Sequence, residues 1–448
     1  MNKAKSLAAI GVVSLLALTA CSAGNSDEGS GGEAVTLDYW LWDDTQLPLY
    51  QACADEFQAA NPDITVKITQ TGWAQYWQNL STQITAGTAP DVFTNQISYY
   101  LQFVKNNQLL DLTEYVEKSD IDFTQYKEGL ADRWVTDEKR FGLPKDWDTV
   151  ALLYNVEAAT EAGYTAEDLS TLTWNPKDGG TFTEFVKATT VDSAGRNGLD
   201  PAFDKNDVVR YGYYPEWADG AVGQNGWGNF AHSNGFTFSD EEGAGATTFN
   251  YDSGELVETA AWLQSLVEDG YAPKFEAQST LGTQAVMENQ NVTSTITGSW
   301  MASTYLAEDA PVEFAFAMVP EGPEGRTAAT NGLADSVWAG TKHPDEAAAW
   351  VEYLASAKCQ DNVGSAGLIF PALNSGTDAA LEARDAAGFD SSAFVSVADA
   401  GETFLIPAFE RSAEVNTTIQ DAMQAIAQGA DPESTLSEAN EAVEALFK

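Results

Sequence analysis

Two carboxylates stand with a tryptophan in each of two stretches of this chain, Trp42-Asp43-Asp44 and Asp146-Trp147-Asp148. A carboxylate presents paired acceptor oxygens and an indole presents a flat apolar face, so together they suit a ligand with polar edges and apolar faces. Thirteen tryptophans are more than one core needs. Trp42, Trp73, Trp217, Trp227 and Trp300 are the candidates for facing a ligand, whereas Trp40, Trp262, Trp338 and Trp350 read better as core. Paired carboxylates also serve hydrolysis when an acid and its partner stand about 5–9.5 Å apart, but no motif here announces such a pair. His232 and His343 lie far apart without ligand spacing, which argues against zinc and against a histidine-dependent triad. Tyr99-Tyr100 and Tyr213-Tyr214 offer phenolates to ferric ion, yet no companion base or arginine is local. Asp192-Ser193-Ala194-Gly195-Arg196 lacks the oxygen ligands a calcium loop needs at its third and fifth positions and reads as a turn. No cofactor and no metal are expected.

Regular elements must hold these side chains. Residues 36–42 alternate and are rich in aromatics, which predicts a strand. Pro48 opens a helix with Leu49, Ala52, Cys53, Phe57 and Ala60 at helical spacing, stopped by Asn61-Pro62. Ile64, Val66 and Ile68 alternate in a second strand, residues 73–86 form a helix closed by Gly87, and residues 90–93 form a short buried strand. This β-α-β-α-β order specifies a parallel sheet flanked by helices. Ligands gather beyond the carboxyl ends of such strands, so Trp42, Asp43 and Asp44 share a rim with Asn95 and Gln96. Further on, Gly142-Leu143-Pro144 lead into an apolar strand over 150–154, and residues 174–252 are polar and Gly/Asn-rich with few helical patterns. Leu256, Ala260, Leu263 and Val267 mark a helix closed by Gly270. A strand over 292–297 ends in Gly298-Ser299-Trp300; helices follow over 346–358, around Ile419, Met423 and Ile426, and after Asp431-Pro432.

With 448 residues, 44% of them apolar, the chain can build a sizeable core and two or three domains. Its net charge of −45 repels phosphate backbones and anionic headgroups, which argues against nucleic acid and against unaided membrane binding. Lys3 and Lys5, an apolar run from Leu7 to Leu18, and small residues before Cys21 are the three parts of a secretory signal. That run is about 12 residues, too short to cross a bilayer. Leu18-Thr19-Ala20-Cys21 resembles a bacterial lipobox, whose cysteine takes a diacylglyceryl group and becomes the N-terminus. Two acyl chains anchor stably where one does not. Residues 21–34 have no apolar side chain larger than alanine beyond Cys21 and form a flexible tether. The remaining cysteines, Cys53 and Cys359, are either a disulfide or two buried thiols.

The order of segments is similar to a known family. A lipobox precedes the Tyr39-Trp40 strand, and Phe57-Gln58-Ala59-Ala60-Asn61-Pro62-Asp63-Ile64-Thr65-Val66 follows. Next come Ala89-Pro90-Asp91-Val92, Leu143-Pro144 through Leu153-Tyr154-Asn155, Ile296-Thr297-Gly298-Ser299-Trp300, and Gly367 through Phe370-Pro371. Together these resemble the extracellular solute-binding proteins of ABC sugar importers, the maltose-binding-protein-like group, over nearly the whole mature chain. The stretch from Thr173-Trp174 to Thr181-Phe182 resembles a subset from high-GC Gram-positive bacteria.

The resemblance implies an α/β, two-lobed periplasmic-binding-protein-like fold with discontinuous lobes joined by a multi-strand hinge. Residues 35–145 and 298–372 are expected in lobe 1, and residues 146–297 and 373–448 in lobe 2, with crossings near 143–150, 296–301 and 370–376. It also implies a disulfide between Cys53 and Cys359, because both helices fall in lobe 1. Asp44 and Asp148 fall where family members bond ligand through carboxylates, and Trp300 falls where one stacks a tryptophan. Asn95 and Glu410 replace stacking tryptophans at two further positions; Trp217 and Trp227 are candidates to supply the missing faces. Asp146, sharing the Asp148 face in an extended segment, joins Asn331 and Phe370 in the ligand-binding set. The implied function is capture of an oligosaccharide for ABC permease subunits, by a monomer lipid-anchored through Cys21 to the outer face of a membrane. The alternatives are a surface glycoside hydrolase and an adhesin.

Overall fold

The computed structural model describes residues 34–241, 245–276 and 282–448; the leader, Cys21 and residues 22–33 of the tether lie outside them. The chain begins β1 (Val35–Leu41), α1 (Leu47–Ala60), β2 (Ile64–Gln70), α2 (Trp73–Ala86), β3 (Val92–Gln96) and α3 (Ile97–Lys105). There follow β4 (Leu143–Asn155), α4 (Gly180–Thr189), β5 (Val208–Tyr214), α5 (Trp227–Ser233), α6 (Gly254–Glu268), β6 (Val292–Gly298), β7 (Phe314–Ala317) and β8 (Ala328–Val337). The chain ends with α7 (Pro344–Ala355), α8 (Ala357–Gly364), β9 (Phe370–Pro371), α9 (Asn374–Ala386), β10 (Thr403–Leu405), α10 (Ser412–Ala427) and α11 (Pro432–Ala445).

In the first half, β1 lies between β2 and β3 and runs parallel to both. Leu37, Tyr39 and Leu41 are buried on one face of β1, as the period of two requires. Pro48 sits in the first turn of α1, where its missing N–H costs nothing. Gly87 closes α2 at φ 72°, a left-handed conformation that glycine adopts without steric penalty. Trp350 of α7 packs edge-on against Tyr39 at 5.8 Å, and Cys53 of α1 is disulfide-bonded to Cys359 of α8 with Cα atoms 5.4 Å apart.

β4 joins the halves. Its residues 143–149 pair with β8 in the first half, and residues 150–154 pair with β6 in the second. β8 makes the companion crossing, since residues 333–337 pair with β3 while residues 328–330 pair with β10. This differs from the expected boundary at 298. β7 pairs with residues 152–155 of β4, and Tyr305, Val312 and Phe314 share a core with Leu153, Tyr214 and Val292. Residues 305–317 thus stay with the second half, and the return crossing is β8, whose Ala-Ala-Thr-Asn-Gly-Leu sequence carries no alternation to mark it.

The second half is built on β5 and β6, which are parallel; Phe182 of α4 and Phe230 of α5 pack on Tyr213 of β5, and Trp262 of α6 packs on both phenylalanines. Two of these helices lie in the stretch expected to be poor in helix. α4 carries Phe182, Phe185, Val186 and Thr189 at helical spacing behind Gly179 and Gly180, both at positive φ, whereas α5 is short and buried nearly all round and shows no such period. The helix expected over 346–358 starts at Pro344 and breaks at Ser356, which has an extended ψ of 157°.

Candidate binding site

A cavity of about 350 Å³ opens where the halves meet, within the roughly 300–1,000 Å³ of small-molecule sites. The end of β1 supplies Trp42, Asp43 and Gln46; α2 supplies Trp73; β3 ends in Gln96. The crossing strands bring Asp146, Trp147 and Asp148 from β4 and Asn331 and Leu333 from β8. The second half adds Asp219, Gln224 and Asn225 from the loop before α5, and Ser299 and Trp300 from the turn after β6. These are the carboxyl ends of β1, β3 and β6, where an open parallel sheet exposes its loops.

The aromatic wall is braced from behind. Trp42 meets Trp73 edge-on at 5.0 Å and Tyr76 edge-on at 5.2 Å, while Trp77, 5.6 Å from Trp42, stacks on Tyr99 at 4.0 Å. Trp73 remains 44% exposed, so apolar surface stays available. Across the cavity the Trp300 ring lies directly on the backbone of Gly298, where a Cβ would stand 1.9 Å from a ring carbon. Only glycine permits that approach.

The polar wall sets four carboxyls among five amides and the Ser299 hydroxyl. Burial lifts the Asp146 carboxyl to about 7; Lys145 opposes the rise, and Asp335 and Asp43 add to it. Asp148 is pushed well up by burial and by Asp146, against the Gln224 amide, whose Nε2 donates to Oδ1 at 2.8 Å, and the Asn331 backbone N–H. Burial and Glu216 likewise raise Asp219, against the backbone N–H groups of Asn225 and Gly226. Asp43 is occupied by its own turn, accepting from Thr45 N at 2.9 Å, Thr45 Oγ1 at 2.7 Å and Gln46 Nε2 at 2.8 Å. Among the described residues no group of three or more His, Cys, Asp or Glu is placed to hold a metal ion.

Of the residues singled out in the sequence, Trp42, Asp43, Trp73, Gln96, Asp146, Asp148, Trp300 and Asn331 meet at this cavity. Six do not line it. Asn95 faces away from Gln96 because neighbours in a strand alternate, and its Nδ2 donates to Ser336 Oγ at 3.2 Å. Asp44 points to solvent. Trp217 and Trp227 are fully buried core, packed by the glycines around them; a Cβ on Gly223 would stand 2.5 Å from the Trp227 ring. Phe370 stacks behind Trp147 at 5.0 Å, supporting the wall from the far side. Glu410 is paired with Lys105 of α3 at 3.2 Å. Sequence reasoning missed Asp219, Gln224 and Asn225; their signal was the run of turn-forming residues from Asp219-Gly220 to Asn225-Gly226.

Residues 52–387 match the model of the bacterial extracellular solute-binding protein family. The chain belongs to that family. As a member it is a substrate-binding protein and not an enzyme. A putative binding protein of Brucella abortus is 25% identical over 416 residues, 90% of each chain. A lactose-binding protein of Rhizobium radiobacter is 25% identical over 72% of this chain and 69% of its own. An ABC substrate-binding protein from Listeria monocytogenes, solved in complex with cycloalternan, superposes with a TM-score of 0.78 at 19% identity, covering 92% of this chain and 98% of the other. That likeness establishes the two-lobed α/β fold of the solute-binding proteins. Among the described residues no helix is long and apolar enough to cross a membrane.

Proposed function

We propose that this solute-binding protein captures an oligosaccharide in the cavity between its halves and delivers it to the permease subunits of an ABC importer. The observation that carries this reading is the make-up of the cavity. Indoles at Trp42, Trp73 and Trp300 share the lining with the acceptors and donors of Asp146, Asp148, Gln224 and Asn331. The C–H faces of a pyranose lie flat on indole, and its vicinal hydroxyls pair with carboxyl and amide groups. The relatives named for lactose and crystallised with cycloalternan support the same ligand class. Trp42 and Trp73 belong to one half and Trp300 and Gln224 to the other, so a bound saccharide gains contacts from both only when β4 and β8 flex to bring them together. That difference in contacts is what drives closure. Cys21 carries the diacylglyceryl anchor, residues 22–34 are the tether, and the protein works as a monomer on the outer membrane face of a Gram-positive bacterium.

Calorimetric titration with a panel of oligosaccharides, neutral and amine-bearing, tests the reading. We expect saturable one-to-one binding by at least one of them, with no saccharide consumed over hours. Absence of binding across the panel, or steady product formation, would overturn it.

A further inference from the structure

The cavity wall has an unbalanced charge. Asp43, Asp146, Asp148 and Asp219 line it, and among its described lining residues there is no lysine, arginine or histidine. Lys145, the cation beside Asp146 in sequence, is turned into the first half. Its Nζ donates to Tyr39 Oη and to Thr94 Oγ1, both at 2.8 Å, stands 3.7 Å from Asp335 Oδ1 and lies 3.7 Å over the Tyr50 ring. Asp43 is satisfied by its own turn. Three carboxyls remain, with Glu216 acting on Asp219 from behind.

Among them Asp146 is 4% exposed, and its Oδ2 has no hydrogen-bond partner among the described residues. A buried carboxyl oxygen left without a donor is costly, so the wall is complete only when something in the cavity donates to it. A neutral hydroxyl satisfies one oxygen but leaves Asp148 set against Asp146, with Asp219 on the same wall. A cation lets them ionise side by side, and the indoles of Trp42, Trp73 and Trp300 attract a cation as well.

We infer that the ligand carries a positive charge, and that, within the saccharide reading on which this rests, it is an oligosaccharide containing a free amino sugar. Its ammonium group donates to Asp146 and is neutralised by Asp148 and Asp219, while the sugar rings keep their contacts with indole. The charged and titratable groups that face Asp146 are Lys145 and Asp148 of its own strand, Asp335 of β8, Asp43 after β1 and Tyr50 of α1. Because burial leaves Asp146 titrating near neutrality, binding of an ammonium expels a proton to solvent. Affinity then falls as pH drops below 7, by about tenfold per pH unit for one proton.

The test is calorimetry with glucosamine disaccharides and trisaccharides beside their N-acetylated counterparts, which share the rings and lack the charge. At neutral pH the free amines bind at least about tenfold tighter, with a buffer-dependent enthalpy that reports proton release. Asp146→Asn and Asp219→Asn each narrow that preference. Equal or tighter binding of the N-acetylated sugars would overturn the inference and leave the receptor reading intact. So would a preference that disappears in about 0.5 M salt, because long-range attraction to an acidic protein is screened and a buried pair much less. No binding by any saccharide, charged or neutral, would sink both.

Discussion

Trp300 reaches the cavity from a turn whose glycine has a structural reason. The indole rests on Gly298, so the two residues act as one device. Trp300→Ala should weaken oligosaccharide binding by about 2–4 kcal/mol, the loss typical of a central aromatic anchor. Gly298→Ala should weaken it too, with the protein still folded by circular dichroism, because the new methyl displaces the ring. An unchanged affinity in Trp300→Ala, measured by calorimetry, would remove that indole from the site. Trp217 and Trp227 misled for a physical reason. Glycine beside tryptophan can mean a loop open to ligand or a backbone pressed against an indole, and composition does not separate the two. Asn95 and Gln96 show the limit from the other side, since one residue of register decides which of them reaches the cavity.

The elements with ordinary patterns were readable: β1 from its alternation, α1 from its proline and stop signal, and α11 from Asp431, whose carboxylate caps Ser434 N at 3.0 Å. Of the crossing strands, β4 runs where a crossing was expected, near 143–150, but its charges were unexpected in a strand, and β8 was not expected at all. β4 carries Lys145, Asp146 and Asp148 through the middle of the sheet, where strands are normally apolar, and β8 buries Asn331 and Asp335. Charges in a central strand break the local rule where function needs them. Two predictions belong at this scale. The Cys53–Cys359 bond ties α1 to α8 across 306 residues of chain, so replacing both by serine should cost roughly 2–4 kcal/mol and lower Tm in calorimetric melting. An unchanged Tm would show that the bond adds nothing. The loop after α4 is organised by Asp192. Burial pushes that carboxyl up, but the backbone N–H and guanidinium of Arg196, with the amides of Asp204 and Ala194, outweigh it and hold it at about 2. A depressed carboxyl stabilises above its unfolded value of about 3.9 and loses that contribution as pH falls towards 2. Pepsin should therefore nick residues 193–204 increasingly over that window, whereas Asp192→Asn should be nicked there already at its upper end. Equal resistance in both proteins would contradict this.

At the scale of the molecule, two α/β halves share one sheet through β4 and β8, and the cavity lies on those same strands. In the proposed closure these paired strands are the hinge, so a ligand bound on them would meet the same residues that bend. The family resemblance anticipated the two halves; it could not locate the return crossing, because the sequence around β8 is small, polar and unpatterned. The most direct test of a saccharide held between moving halves is small-angle scattering of the purified protein with and without a saturating oligosaccharide that calorimetry has shown to bind. A compact chain of this size has a radius of gyration of about 22 Å. Saturation is predicted to lower the measured radius and sharpen the pair-distance distribution, as the halves close over the ligand. A bound saccharide that leaves the scattering curve unchanged would contradict the hinged-receptor account.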